Sequence, residues 1–236
     1  MKILAFDSSG LVASVAVLTE DQMIAEYTVN YKKTHSQTLL PMLDEVAKMT
    51  ELDLAEIDAI AVAAGPGSFT GLRIGSATAK GLGLALGKPL VAVPTLEGLA
   101  CNLFGCEDVI CPMMDARRKQ VYTGLYTFRH GKMEILKEQT ACPVEEILAE
   151  ADGLGQKVVF LGDGVPVYRS IIEEKMQSPF TFAPAHMNRQ RAGAVGMRAF
   201  DYIREGKTQT AAEHAPVYLR KSQAERELLA KGKTLE

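Results

Sequence analysis

The glycine-rich stretch from residue 65 to residue 87 is the segment whose residue types most suggest chemistry. It reads GPGSFTGLRIGSATAKGLGLALG. The first amides of a helix lack partners and lie at the positive end of its dipole, so a glycine-rich turn that enters a helix suits a phosphate. However, the stretch lacks the lysine and adjacent hydroxyl of a G-x-x-x-x-G-K-[ST] loop, and its glycines do not follow G-x-G-x-x-G. A phosphate loop is therefore the weaker of two interpretations.

The other interpretation is a helix that packs very closely against something. Gly71, Gly75 and Ala79 are each four residues apart. A glycine inside a soluble helix costs up to about 1 kcal/mol relative to alanine, and small residues offset that cost when they let two backbones approach. We expect part of this packing against the chain's own sheet. A contact with another chain would explain the remainder.

Three turns that follow apolar runs are further candidates. FDSSG (residues 6–10) has the acid and small polar residues that hold phosphate and magnesium in actin-like ATPases, although such a sequence is more often only a turn. FLGDGV (residues 160–165) could seat a nucleotide or be a tight connection. In PMMDARRKQVY, Asp115 is followed by Arg117 and Arg118; a salt-bridged turn is favoured there over an anion site.

Other chemistries lack their usual residue spacing. The four histidines form no H-x-x-x-H or H-E-x-x-H pair, which argues against a zinc site. The cysteines form no C-x-x-C, and no G-x-S-x-G nucleophile elbow occurs. We therefore expect neither a metal site nor a catalytic residue. The solitary histidines and the cysteines are His35, His130, His186, His214, Cys101, Cys106, Cys111 and Cys142.

Composition narrows the class of protein. The 236 residues are 47% hydrophobic and 23% charged, with a formal net charge of −3, which suits one large domain or two small lobes. A mildly acidic chain is not expected to grip nucleic acid over a wide basic surface, but RNA could be reached through a partner. Apolar runs too short for a bilayer, an N-terminal run that meets Asp7, and scattered cysteines predict a cytoplasmic protein with reduced thiols and no membrane contact.

The order of elements predicts a mixed α/β fold. Three apolar runs with short turns indicate an antiparallel meander, and helices then alternate with buried strands up to about residue 104. The chain is β-rich again after residue 106, with three later helices. We predict an N-terminal lobe at 1–105, a reduced C-terminal lobe at 106–220 and a charged tail at 221–236.

Six groups of residues, in this order, resemble the TsaB (YeaZ) family of bacterial proteins that are required to make threonylcarbamoyladenosine in tRNA. They are ILAFDSS with ASVAVL, HSQTLLPML, GPGSFTGLRIG with AKGLG, PMMDARR with VY, GDG and PVYLR. The resemblance covers most of the chain, and GPGSFTGLRIG together with DARR makes it specific. It implies an actin-like ATPase (ribonuclease H-like) fold of two lobes with mixed sheets.

The resemblance also implies partners and an interface. Members of the family bind TsaD, the transferase, through two helices of the first lobe; they also engage the ATPase TsaE, and self-dimerise when alone. Here those helices would be His35–Met49 and Thr70–Leu86, and tRNA would be reached only through the complex. The interface residues implied are His35, Ser36, Leu39, Leu40, Leu43, Leu72, Gly75, Ser76 and Ala79.

By the same resemblance, the chain is a non-catalytic activator of TsaD for tRNAs that read codons starting with A. It has no intrinsic cofactor, and ATP or ADP would bind weakly or within the complex. Any nucleotide or anion affinity is expected at the two strand-end turns, at Asp7, Ser8, Ser9, Gly162, Asp163 and Gly164. The alternatives left open are an active actin-like ATPase or kinase, and a peptidase of the glycoprotease type.

Overall fold

The computed structural model describes residues 1–31 and 34–220. Its first half contains β1 (Ile3–Asp7), β2 (Val12–Leu18), β3 (Met23–Asn30), α1 (His35–Met49), β4 (Ala59–Gly65), α2 (Phe69–Leu86), β5 (Leu90–Pro94) and α3 (Thr95–Ala100). Its second half contains β6 (Val109–Asp115), β7 (Gln120–Arg129), β8 (Lys132–Pro143), α4 (Val144–Gly153), β9 (Val158–Leu161), α5 (Gly164–Lys175), β10 (Phe180–Phe182) and α6 (Ala192–Arg204). The predicted charged tail lies outside the described residues.

Each half of the chain forms one five-stranded sheet, and the two sheets have the same topology. The first sheet has the order β3-β2-β1-β4-β5 and the second β8-β7-β6-β9-β10. In each, three strands form an antiparallel meander, and two more add in parallel through helical crossovers. β9 and β10 have only 4 and 3 residues, whereas β4 and β5 have 7 and 5. The fold is therefore the predicted α/β fold of two lobes with mixed sheets, and its two shortest strands, β9 and β10, lie in the second lobe.

Each lobe closes with a helix that packs on the other lobe's sheet. Leu96 and Leu99 of α3 share a core with Ile110 of β6, while Val195 and Phe200 of α6 share a core with the first sheet. The predicted boundary at residue 105 separates the two sheets but not these helices, since the apolar face of α6 is buried in the first lobe. The lobes are consequently linked by a crossed pair of helices.

The segment from residue 209 to residue 220, which we call the C-terminal strap, returns across the first lobe. Leu90 and Gln209 form a β-bridge, and Val217 donates its backbone N–H to the carbonyl oxygen of Ala64 at 2.7 Å. The strap ends at Arg220, whose Nη1 donates to the carbonyl oxygen of Ala116 in the second lobe at 2.7 Å. The strap thus spans both lobes.

No helix in the described ranges is long and apolar enough to cross a membrane. The cysteines are unpaired: Cys111 and Cys142 are buried, and Cys101 and Cys106 are partly buried. Burial raises the pKa of the Cys111 thiol to about 12, so its thiol stays protonated near neutral pH. This cysteine behaves as a core residue.

Candidate functional site

A cleft of about 850 Å³ opens between the lobes. One wall consists of the turn after β1, the start of α1 and the N-terminus of α2, and the other of the β6–β7 turn and Asp163. The end of the C-terminal strap lies along the same cleft. Both predicted turns therefore meet here, because β1 and β9 each end at it.

The polar groups of the turn after β1 hydrogen-bond to one another. The Asp7 side chain is 1% exposed, and its Oδ1 accepts hydrogen bonds from the Ser9 backbone N–H at 2.9 Å and from the Ser9 hydroxyl at 2.6 Å. Burial raises the pKa of this carboxyl to about 6, although the Ser9 hydrogen bonds and His35 oppose the rise. Of the three residues predicted here, only Ser9 lines the cleft.

Ser8 explains the glycines of α2. Its hydroxyl donates to the Gly71 carbonyl oxygen at 2.9 Å. A Cβ on Gly71 would overlap the Ser8 carbonyl oxygen, and one on Gly75 would lie 2.5 Å from the Ser8 hydroxyl. The close partner of this helix is thus the chain's own β1–β2 turn, and the expectation that Gly75 faces another chain is corrected.

The N-terminus of α2 is capped by a side chain of its own turn. The Ser68 side chain accepts from the Gly71 N–H at 3.3 Å, and the Ser68 N–H donates to the Ser9 carbonyl oxygen at 2.6 Å. These contacts cap the helix in the usual way. The glycine-rich stretch is therefore a tightly packed helix start.

His35, predicted in the partner interface, lies at the cleft. Its Nε2 donates to the Gly10 carbonyl oxygen at 2.8 Å, so this ring nitrogen carries a proton. The Nδ1 atom is buried and has no partner among the described residues. The side chain thereby ties the start of α1 to the β1–β2 turn.

The second-lobe wall contains two neighbouring aspartates. Asp163 Oδ1 accepts from the Asp115 backbone N–H at 3.3 Å, and Asp115 Oδ1 accepts from the Tyr168 hydroxyl at 2.9 Å. Burial raises the pKa of Asp163, while the Asp115 N–H and Arg189 oppose the rise. Asp163 lines the cleft, whereas Gly162 and Gly164 do not.

Gly162 is required by the local backbone conformation. It has φ of 109°, a conformation that favours glycine, and a Cβ there would overlap the Met113 carbonyl oxygen. The glycine in GDG is therefore required by the approach of β9 to β6. A ligand is not needed to explain it.

The predicted interface residues divide by exposure. Ser36 is exposed, Leu40 is 53% exposed and His35 is partly buried. The other six residues are buried in the chain and cannot present their side chains to a partner, because the apolar faces of α1 and α2 cover the first sheet. These six are Leu39, Leu43, Leu72, Gly75, Ser76 and Ala79.

Two cleft residues of the C-terminal strap, Tyr218 and Arg220, have no local signal in the sequence, and the Arg117–Arg118 turn differs from its prediction. Tyr218 of the C-terminal strap stacks on Phe69 with ring centroids 4.4 Å apart, and nothing local in the sequence marks this distant pair. The salt-bridged turn favoured for Arg117 and Arg118 is wrong within the described residues: no carboxylate lies within 4.0 Å of either guanidinium. Asp115 instead accepts from the Arg117 backbone N–H at 2.8 Å.

Comparison with known proteins defines the class. A family model described as "TsaD: tRNA N6-adenosine threonylcarbamoyltransferase" matches residues 22–228. The structure superposes on YeaZ from Pseudomonas aeruginosa with a TM-score of 0.79 and 30% identity, covering 92% of this chain and 99% of that one. The protein is thus one of the TsaD-like proteins with two lobes.

Relatives narrow the class further. The chain is 36% identical to the tRNA threonylcarbamoyladenosine biosynthesis protein TsaB of Bacillus subtilis, over 95% of this chain and 96% of that protein. It is 31% identical to TsaB of Escherichia coli, over 98% of this chain and 100% of that protein. The chain belongs to the TsaB (YeaZ) family.

Proposed function

We propose that this chain is a non-catalytic partner and activator of a TsaD transferase. The product is threonylcarbamoyladenosine beside the anticodon of tRNAs that read codons starting with A. The observation that carries the proposal is the match, over nearly the whole chain, to relatives named for this pathway. TsaE would join the same complex in the cytoplasm.

The closed turn after β1 supports a non-catalytic role. A carboxylate that holds a metal or activates water must reach the substrate. The Asp7 carboxyl is instead buried and accepts both hydrogen bonds from Ser9. ATP or ADP, if it binds this subunit, would meet Ser9 and Asp163 across the cleft.

The exposed faces of α1 and α2 are the surface that we assign to TsaD. Leu40 and Met49 of α1 are 53% and 77% exposed, and Leu84 of α2 is 71% exposed. Exposed apolar side chains on neighbouring helices are suited to a helical interface. The same surface would pair two copies of the chain when TsaD is absent.

Two neighbouring leucines of α1 test this assignment. We expect Leu40→Asp to weaken association with TsaD about tenfold or more, because it places a charge in an apolar contact. Its free energy of unfolding should stay within about 0.5 kcal/mol of wild type. Leu43→Asp is the matched control: Leu43 is 5% exposed, so this variant should unfold the chain.

The measurements are sedimentation with purified TsaD and formation of the modified nucleoside in a reconstituted reaction. Leu40→Asp should lower the affinity for TsaD and the amount of modified nucleoside by similar factors. A folded Leu40→Asp variant that binds TsaD normally would move the interface elsewhere. Full activity of TsaD without this chain would contradict the proposed function itself.

A further inference from the structure

The arginines of the described residues fall into two groups. One group forms ion pairs with carboxylates: Arg129, Arg169, Arg191, Arg198 and Arg204. The other group has no carboxylate within 4.0 Å in residues 1–31 and 34–220: Arg73, Arg117, Arg118, Arg189 and Arg220. The groups differ in where they lie.

Every member of the second group lies at or beside the interlobe cleft. Arg117, Arg118 and Arg220 line it. Arg189 lines an adjoining recess that shares Asp115 and Asp163 with the cleft. Arg73 contacts Phe69 and Tyr218, which line the cleft. Five arginines from four separate segments of the chain therefore bring positive charge to one place on a protein whose formal net charge is −3.

The guanidinium groups at the cleft keep free donors. Arg117 and Arg118 are exposed, and Arg220 uses Nη1 on the Ala116 carbonyl oxygen. Since a guanidinium has five N–H donors arranged in a fork, Arg220 can still donate to an anion. The nearby Asp115 accepts from the Tyr168 hydroxyl and the Arg117 backbone N–H, and within residues 1–31 and 34–220 it forms no ion pair with the Arg117 or Arg118 side chain.

An aromatic stack adjoins these cations. The Arg73 guanidinium lies 4.0 Å from the Phe69 ring centroid, and Phe69 stacks on Tyr218. Tyr218 is 39% exposed. Unpaired bases stack on aromatic rings and guanidinium planes, while Arg side chains neutralise phosphates. An acidic peptide would use the arginines but would not need an exposed aromatic ring.

We propose that this face, formed by Arg117, Arg118, Arg220, Phe69 and Tyr218, is a docking surface for an RNA strand. This proposal rests on the proposed function, under which the bound RNA is a tRNA. Arg117, Arg118 and Arg220 contact phosphates, and Tyr218 stacks beside an unpaired base. The chain then touches tRNA directly within the complex, in addition to holding TsaD.

The test measures tRNA affinity of the complex between the full chain and TsaD over a series of salt concentrations. Removing one phosphate contact to a single strand changes the slope of log K against log salt by about 0.7. We expect Arg117→Gln/Arg118→Gln to flatten the slope by about 1.4 and to weaken binding tenfold or more at low salt. Arg129→Gln is the control, since Arg129 lies at the end of β7 that is distant from the turn holding Arg117 and Arg118.

A second variant tests the aromatic contact. Tyr218→Ala should weaken tRNA binding about fivefold or more without changing the salt slope, because stacking involves no ion release. Tyr218→Phe should bind like wild type. Circular dichroism and TsaD association establish that each variant is folded.

Several results would overturn the inference. One is an unchanged slope and affinity in the folded double arginine variant. A second is a double arginine variant that binds tRNA normally but loses TsaE, which would assign the surface to an acidic protein. A third is a double arginine variant that loses only ATP binding, which would assign the surface to a nucleotide. If TsaD does not associate at all, the proposed function fails separately. The same RNA and variants are then measured with the isolated full chain, where the double variant must still flatten the slope.

Discussion

At the scale of single residues, the Asp7 carboxyl has hydrogen-bond partners, but its burial makes the charged form unfavourable. Its carboxyl has hydrogen bonds from Ser9, yet burial raises its pKa to about 6. An unfolded aspartate titrates near pH 3.9, so the folded protein binds more protons than the unfolded one between about pH 4 and pH 6. Stability from this group is therefore complete below pH 4 and declines as the pH rises through about 6.

The substitution Asp7→Asn should remove this pH dependence. Asparagine keeps the acceptor oxygen for Ser9 without a charge, so its stability relative to wild type should rise by about 3 kcal/mol between pH 4 and pH 7.5. Urea unfolding followed by circular dichroism measures the difference. Asp21→Asn, at an exposed position, is the control. A difference that is the same at both pH values would show that the buried carboxyl is not the cause.

At the scale of elements, α2 is defined by what each of its glycines meets. Gly71 lies against the Ser8 carbonyl oxygen, and Gly83 against the Leu90 side chain, whereas Gly81 has nothing within 4 Å of an added Cβ. Close packing therefore requires glycine at residues 71 and 83 but not at residue 81. The glycines at 71 and 83 let the helix lie close to its own lobe.

This contrast predicts opposite effects of the same substitution within one helix. Gly71→Ala should lower the free energy of unfolding by about 1–3 kcal/mol, because the new methyl group overlaps backbone that cannot move away cheaply. Gly81→Ala should raise it by up to about 1 kcal/mol through helix propensity. Thermal and urea unfolding of the two variants give the comparison. Equal stability of the two variants would contradict the close approach of α2 to the β1–β2 turn.

At the scale of the whole molecule, the crossed helices α3 and α6 join the lobes. Arg198 Nε of α6 donates to Glu97 Oε2 of α3 at 2.7 Å, and the two side chains are 10% and 5% exposed. Tyr202 also donates to Glu97 at 3.1 Å. A buried pair that loses one partner leaves an uncompensated charge, so this contact couples the lobes energetically.

We expect Arg198→Met to lower the free energy of unfolding by about 3–5 kcal/mol while unfolding remains a single transition. Glu97→Leu/Arg198→Met should recover much of that loss, because no charge is left buried. Arg204→Met, at an exposed position on the same helix, should cost no more than about 1 kcal/mol. Two separate transitions in wild type would show that the lobes unfold independently.

Local patterns were enough to predict most elements. Apolar residues at helical spacing placed α1 within residues 34–49, and the structure has His35–Met49. The all-apolar run before Gly65 is β4, buried along its whole length. The strand β10 was not predicted, since three residues give no periodicity to recognise. The repeated sheet order has no signature in the sequence, because two sheets can share strand order without sharing sequence.

The candidate site was only partly predictable. The sequence by itself determined the family, the mixed two-lobed fold and the position of each strand-end turn, since these depend on local periodicity and on motifs in a fixed order. Only the tertiary structure decided what those turns face: Ser8 fills the space that the α2 glycines leave, and Asp7 points inward. It alone brought Arg117 and Arg220 to one cleft and Arg73 beside it, because contacts between residues over a hundred positions apart depend on how the lobes and the C-terminal strap pack, which no local pattern records.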